Sequence, residues 1–200
     1  DLTGRPIVLS LSPGETHISK AGHVRQHANM WRTVDDFWDN WDMLKYQFKV
    51  CAKWAPYIAP GTWPDADMLP LGRISIRGER GDERWTKFTR DEQYMLMTLW
   101  SIFKSPLMFG GDLTYNDDFT NSLLTNREVL RMHHYSTNNR ELSNDGDRIV
   151  WTADDPETGE KYVAMFYPVS KEYADTRKAL FRSGTISYVT PGYSCNVDVA

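Results

Sequence analysis

Short apolar runs alternate with amphipathic stretches from Arg5 to about His134, and this alternation restricts the possible folds more than any other feature of the chain. Arg5 to Ser12 (RPIVLSLS) is a β-branched run closed by Pro13-Gly14, the pattern of a buried strand and its loop. Ile18 to Met30 is weakly helical, and Met30 to Val34 is a second short strand. Phe37 to Ala52 is a helix on which Phe37, Trp41, Leu44, Phe48 and Cys51 recur with the helical period. Gly61 to Leu71 holds a third short strand, followed by a charged loop from Arg73 to Lys87. Thr89-Arg90-Asp91-Glu92 is a capping box, in which hydroxyl and carboxylate each take an exposed helix N–H, and its helix ends before Pro106. Leu107 to Phe109 is a fourth strand, and Thr125-Asn126-Arg127-Glu128 a second capping box opening a helix to about His134. His133-His134 at that helix end read as a favourable contact with the helix dipole.

Four β-α units predict the α/β class: a parallel sheet with covering helices, equivalent to half of a (β/α)8 TIM barrel. From Arg148 the pattern changes. Arg148–Ala153, Lys161–Tyr167, Ala179–Phe181 and Thr185–Val189 are short strands split by turn residues, the start of an antiparallel β-sandwich. The expected division is therefore 1–145 for the half barrel and 146–200 for a truncated C-terminal β domain. A half barrel leaves apolar strand edges open, so self-association into a homo-oligomer is expected.

A formal charge of −4 and no run of Lys or Arg argue against nucleic acid or an anionic membrane as partner. No apolar stretch is long enough to span a bilayer as a helix. Cys51 and Cys195 lie far apart and read as free thiols. His23 and His27 share a helix face, but no third ligand accompanies them, so no metal is expected.

Chemistry concentrates in Trp31-Arg32-Thr33-Val34-Asp35-Asp36-Phe37-Trp38-Asp39-Asn40-Trp41. A guanidinium grips hydroxyls or carboxylates through a rigid fork, and tryptophan faces cover the apolar side of sugar rings. Asp36 precedes a helix and reads either as its N-cap or as a general acid/base, with Phe37, Trp38 and Trp41 supplying the apolar setting that raises a carboxyl pKa. Asp35 is its rival, and Asp39 reads as a structural anion at the helix start. Asp65 and Asp67 flank Ala66 on an extended segment, where one can bind while the other caps.

Three motifs resemble glycoside hydrolase family 27, the α-galactosidase and α-N-acetylgalactosaminidase family that includes β-L-arabinopyranosidases and isomaltodextranase. They are Trp31-Arg32-Thr33-(x)2-Asp36-(x)2-Asp39-Asn40-Trp41, Trp63-Pro64-Asp65-Ala66-Asp67-Met68-Leu69 and Leu99-Trp100-Ser101-Ile102-(x)2-Ser105-Pro106-Leu107. The resemblance runs from about Thr3 to Asn139. It implies the C-terminal part of a (β/α)8 barrel that cleaves terminal α-galactoside-like sugars with retention, using two aspartates and no cofactor. By position it makes Asp36 the acid/base in preference to Asp35, Arg32 a ligand of sugar hydroxyls, and Asp67 and Met68 parts of the pocket. The nucleophilic aspartate of the family belongs to an earlier strand, before Gly4, so the N-terminal half of the barrel is an implied partner and the chain alone is expected to be inactive. Many α-galactosidases carry Glu-Trp where this chain has Ser12-Pro13-Gly14-Glu15, so Ser12 and Glu15 are the candidates for contacting the sugar from that loop.

Overall fold

The structure is a computed structural model that describes residues 4–168. A parallel sheet is built from β1 (Ser10–Leu11), β2 (Met30–Arg32) and β3 (Trp63–Asp65), in that order. Helix α1 (Ala21–His27) links the first pair and α2 (Trp41–Trp54) the second, the crossover that parallel strands require. Register pairs Leu11 with Trp31 and Arg32 with Asp65, so the C-terminal ends of the strands lie side by side.

The expected strand at Arg5–Ser12 shrinks to Ser10–Leu11, and it is not buried. Ile7, Val8 and Leu9 are exposed, because no described strand pairs with their outer edge. The fourth strand shrinks further, to a parallel bridge of Phe109 with Leu69, fastened by Leu69 N–H donating to the Met108 carbonyl (2.7 Å) and Gly110 N–H to the Leu69 carbonyl (2.9 Å). The cause lies upstream. Asp67 has φ = 78°, in the left-handed region, so the strand breaks after Asp65 and resumes at Leu69. Among the described residues the sheet does not close into a barrel.

An antiparallel pair of two-residue strands, β4 (Arg73–Ile74) and β5 (Arg84–Trp85), closes the charged loop. Helix α3 (Arg90–Phe103) opens with the expected capping box: Thr89 N–H donates to Glu92 Oε2 (2.7 Å) and Glu92 N–H to Thr89 Oγ1 (3.3 Å). The second capping box does not form. Thr125 Oγ1 donates to the Asn121 carbonyl at the end of α4 (Asp118–Leu124), and Asn126 caps α5 (Arg127–Tyr135) by accepting from Glu128 and Val129 N–H. His133 is half-buried with its Nε2 2.9 Å from the Ser105 carbonyl, and burial pushes its pKa down, which disfavours the cation that a dipole contact would use.

The β-rich tail forms one antiparallel sheet, β6 (Thr137–Asn144), β7 (Ile149–Asp154) and β8 (Lys161–Phe166). Strand β6 begins before the change of pattern at Arg148, and its sequence, TNNRELSN, gives no sign of it because it carries no apolar alternation. The expected strands after Lys171 lie outside the described residues, as does Cys195.

One core joins these layers. Trp31, Trp54, Trp100 and Trp151 are at most 1% exposed, so half of the eight tryptophans are core and do not line a cleft. Cys51 is a buried free thiol whose pKa is pushed well up by burial, which keeps it unreactive.

Candidate active site

The acidic and basic groups picked out in the sequence converge at the C-terminal edge of the parallel sheet. Arg32 is the last residue of β2 and is 7% exposed. Its Nη2 lies 2.9 Å from Asp67 Oδ2 and 3.6 Å from Asp36 Oδ1. Its Nε is buried with no hydrogen-bond partner among the described residues. Asp36 presents a side chain that is 67% exposed, and its Oδ2 faces the Arg80 guanidinium at 3.9 Å.

Helix α2 starts at Trp41, later than the hydrophobic period implies, and Asn40 caps it by accepting from Met43 N–H (3.0 Å). Asp36 is therefore not the N-cap. Phe37 sits on the loop instead, 1% exposed, with its ring 5.0 Å from Trp100 and 6.2 Å from Phe88. It belongs to the core and so does not give Asp36 an apolar setting; the Asp36 carboxylate faces two arginines.

Asp35 turns the other way. Its Oδ1 accepts from Glu15 N–H (3.2 Å), and a Cβ on Gly14 would lie 2.7 Å from that oxygen, so this approach depends on glycine. Thr16 N–H donates to the Arg32 carbonyl (3.0 Å). The Ser12–Thr16 loop is thus pinned beside the end of β2. Ser12 and Glu15 themselves are exposed on it.

The Asp65-Ala66-Asp67 turn is held from every side. Asp65 Oδ1 accepts from Asp67 N–H (2.9 Å), and the Asp65 carbonyl accepts from both Thr33 N–H (2.9 Å) and Thr33 Oγ1 (3.0 Å). Gln47 Nε2 donates to the Ala66 carbonyl (3.0 Å), Ala66 N–H to Ser105 Oγ (3.0 Å), and Trp100 Nε1 to the Asp67 carbonyl (2.8 Å). Asp67 Oδ2 also accepts from Phe37 N–H (2.6 Å), which ties β3 to the loop carrying Asp36. Aspartate is among the few non-glycine residues that tolerate a positive φ, and these hydrogen bonds hold Asp67 in it. Met68, next along, packs on Gly110: a Cβ there would come within 2.5 Å of Met68 Sδ.

Asp39 is structural, as expected, but by a contact that sequence does not reveal. It is 7% exposed and accepts from Arg84 Nη2 (2.6 Å) and Lys87 N–H (2.9 Å). Also missed were Thr33, Gln47, Trp100 and Ser105, which hold the turn, and Arg80. Trp100 and Ser105 stand in the third motif, the one signal available for them.

Asp65 makes the turn sensitive to pH. Burial raises its pKa from 3.8 to about 6, outweighing the Asp67 N–H that favours the carboxylate; the Asp67 charge adds to the rise and Arg32 opposes it. Between these two values the folded protein keeps a proton that the unfolded chain has lost. Asp65 therefore costs stability as pH rises through this window, and the cost is complete above about 6. Asp65→Asn keeps the acceptor for Asp67 N–H and removes the ionisation. In the complete protein it should add about 2–3 kcal/mol at pH 7.5 and much less at pH 4, read from urea midpoints. Equal increments at both pH values would show that ionisation of Asp65 is not the cause.

A charged cluster at the C-terminal ends of parallel strands stands where α/β enzymes place their active sites. The family model described as "Alpha galactosidase A" matches residues 1–135. Alpha-galactosidase 2 of Arabidopsis thaliana is 31% identical over 153 residues, 74% of this chain and 35% of that protein. Alpha-N-acetylgalactosaminidase of Gallus gallus is 28% identical over 143 residues, 66% of this chain and 32% of that one. Among solved structures, a GH27 β-L-arabinopyranosidase from Geobacillus stearothermophilus superposes with a TM-score of 0.79 at 53% identity, over 82% of this chain and 38% of that one. The chain belongs to glycoside hydrolase family 27, the α-galactosidase family. It spans about a third of the length of the curated relatives, 35% and 32% for these two.

Proposed function

We propose that this chain supplies the acid/base side of a retaining glycosidase site, as the C-terminal half of a (β/α)8 barrel followed by a β domain. Asp36 protonates the leaving group and later takes the proton from the attacking water, while a nucleophilic aspartate comes from an earlier strand. Arg32 binds hydroxyls of the sugar, Asp67 holds Arg32 in place, Met68 lines the pocket, and Ser12 and Glu15 approach the sugar from the facing loop. The observation that carries this reading is Arg32 itself: a buried guanidinium with an unpaired Nε, beside an exposed carboxylate at a strand end. A buried donor without a partner is costly, and a sugar hydroxyl would satisfy it.

The substrate under this reading is a terminal α-galactoside-like sugar. A second reading is a β-L-arabinopyranoside, the same ring without the C6 hydroxymethyl group. It draws on the 53% identity to the Geobacillus enzyme and on Ser12-Pro13-Gly14-Glu15 in place of Glu-Trp. The complete protein should hydrolyse one of the two nitrophenyl glycosides, and the ratio of kcat/KM selects between them. Proton NMR of the first-released sugar should show the anomeric configuration of the substrate; release of the opposite anomer would overturn the two-aspartate reading. Residues 1–200 alone should show no turnover, and measurable turnover would contradict a nucleophile located elsewhere.

A further inference from the structure

The β4–β5 pair has two unlike faces, because successive strand residues point to opposite sides. Arg84, opposite the buried Ile74, turns inward and holds Asp39 (2.6 Å), whereas Trp85, opposite Arg73, turns outward and is 51% exposed. Beside that indole lies a cavity of about 180 Å³, lined by Trp85, Thr86, Arg90, Gln93, Asp117 and Phe119. Its walls are fixed. Thr86 N–H donates to the Gly72 carbonyl (2.8 Å), and Asp117 Oδ1 accepts from Thr120 N–H (2.7 Å). Phe119 packs edge-on against Tyr94 with ring centroids 5.2 Å apart, and the Arg90 guanidinium lies over the Phe119 ring, 4.7 Å from its centroid. A guanidinium stacked on an aromatic face keeps its in-plane N–H donors for other partners.

One buried polar group of this cavity lacks a partner. Gln93 is 7% exposed, and its Nε2 donates to the Phe88 carbonyl (2.9 Å), while its Oε1 accepts no hydrogen bond among the described residues. We propose that the cavity is a carbohydrate-binding site that takes one neutral pyranose ring. The apolar face of the ring stacks on Trp85, and its hydroxyls donate to Gln93 Oε1 and the Asp117 carboxylate while accepting from Arg90. The lining selects this ligand class. An anion would meet the Asp117 carboxylate, and an apolar ligand would leave the Gln93 oxygen buried without a partner. Neighbouring hydroxyls, each both donor and acceptor, satisfy a carboxylate, an amide oxygen and a guanidinium together. The volume is below the roughly 300–1,000 Å³ of pockets that enclose a whole drug-sized ligand, so one ring enters and the rest of a chain stays outside. The site does not depend on the roles given to Asp36 and Arg32. A neighbouring sugar of a polymeric substrate and a free sugar would make the same contacts.

The test is affinity electrophoresis of the complete protein through gels containing galactomannan, a neutral polysaccharide with α-galactosyl branches. Migration should be retarded, and Trp85→Ala and Arg90→Met should each raise the apparent Kd roughly three- to tenfold, the loss of one stacking or one guanidinium contact. Both side chains are exposed, so thermal unfolding should not change, and neither should kcat/KM on a nitrophenyl glycoside. Titration of methyl α-galactopyranoside against tryptophan fluorescence separates the two sources. A change that Trp85→Ala abolishes shows that a free ring suffices, and no change beside a Trp85-dependent retardation assigns the site to the polymer. Equal retardation of Trp85→Ala and wild type overturns the proposal, as does a wild type that galactomannan does not retard. A multimer that Trp85→Ala dissociates overturns it too, because the exposed indole is then a contact between copies.

Discussion

Asp36→Asn in the complete protein should reduce hydrolysis of a glycoside with a poor leaving group by roughly 10²–10⁴-fold, the usual contribution of a positioned proton donor. The loss should shrink on a dinitrophenyl glycoside, whose leaving group departs without protonation. The glycosyl-enzyme then accumulates, because Asp36 is no longer there to deprotonate water. An added anion such as azide needs no base and should restore turnover, giving the glycosyl azide with the configuration of the substrate. Asp35→Asn should leave this leaving-group dependence unchanged, since its carboxylate holds Glu15 N–H. Equal losses on good and poor leaving groups for Asp36→Asn would exclude it as the acid/base. Folding is not at issue in this variant, because the Asp36 side chain is 67% exposed and its ion pairs among the described residues are long, at 3.6 and 3.9 Å.

Residues alone left Asp36 open between cap and catalyst, and position within a family motif favoured it over Asp35. In the structure Asn40 takes the cap, Asp35 holds the Ser12–Thr16 loop, and Asp36 faces two arginines. The alternation of short strands and amphipathic helices was legible because burial follows the period, as at Leu44, Phe48 and Cys51. Phe37 shows how that signal misleads. It keeps the helical phase yet packs from a loop, because Asn40 fixes the first turn after it. Contacts between distant segments leave no local trace: Arg84 meets Asp39 across 45 positions, and Trp100 meets Asp67 across 33. The left-handed backbone at Asp67 was equally hidden, since aspartate tolerates that region without announcing it.

Asp67→Ala should destabilise the protein by about 3–5 kcal/mol, the cost of leaving one member of a buried ion pair unpaired. Arg32 is 8% and Asp67 15% exposed at the side chain, so water can replace little of what is lost. Two groups lose their partner together: the Arg32 guanidinium and the Phe37 N–H. Asp67→Asn separates them, because the amide oxygen can still accept from Phe37 N–H while the charge is gone, and its cost should be intermediate. If Arg32 binds the sugar as proposed, activity should fall in both, because Arg32 loses the carboxylate 2.9 Å from its Nη2. Arg32→Met placed on Asp67→Ala should recover part of the stability, since an apolar chain in that site leaves no unpaired charge. Chemical denaturation of the wild type, Asp67→Ala, Arg32→Met and the double variant closes the cycle. A double variant as unstable as the sum of the single losses would mean that Arg32 and Asp67 stabilise the fold independently, and the strand-end cluster would not be the single unit that the 2.9 Å pair makes it.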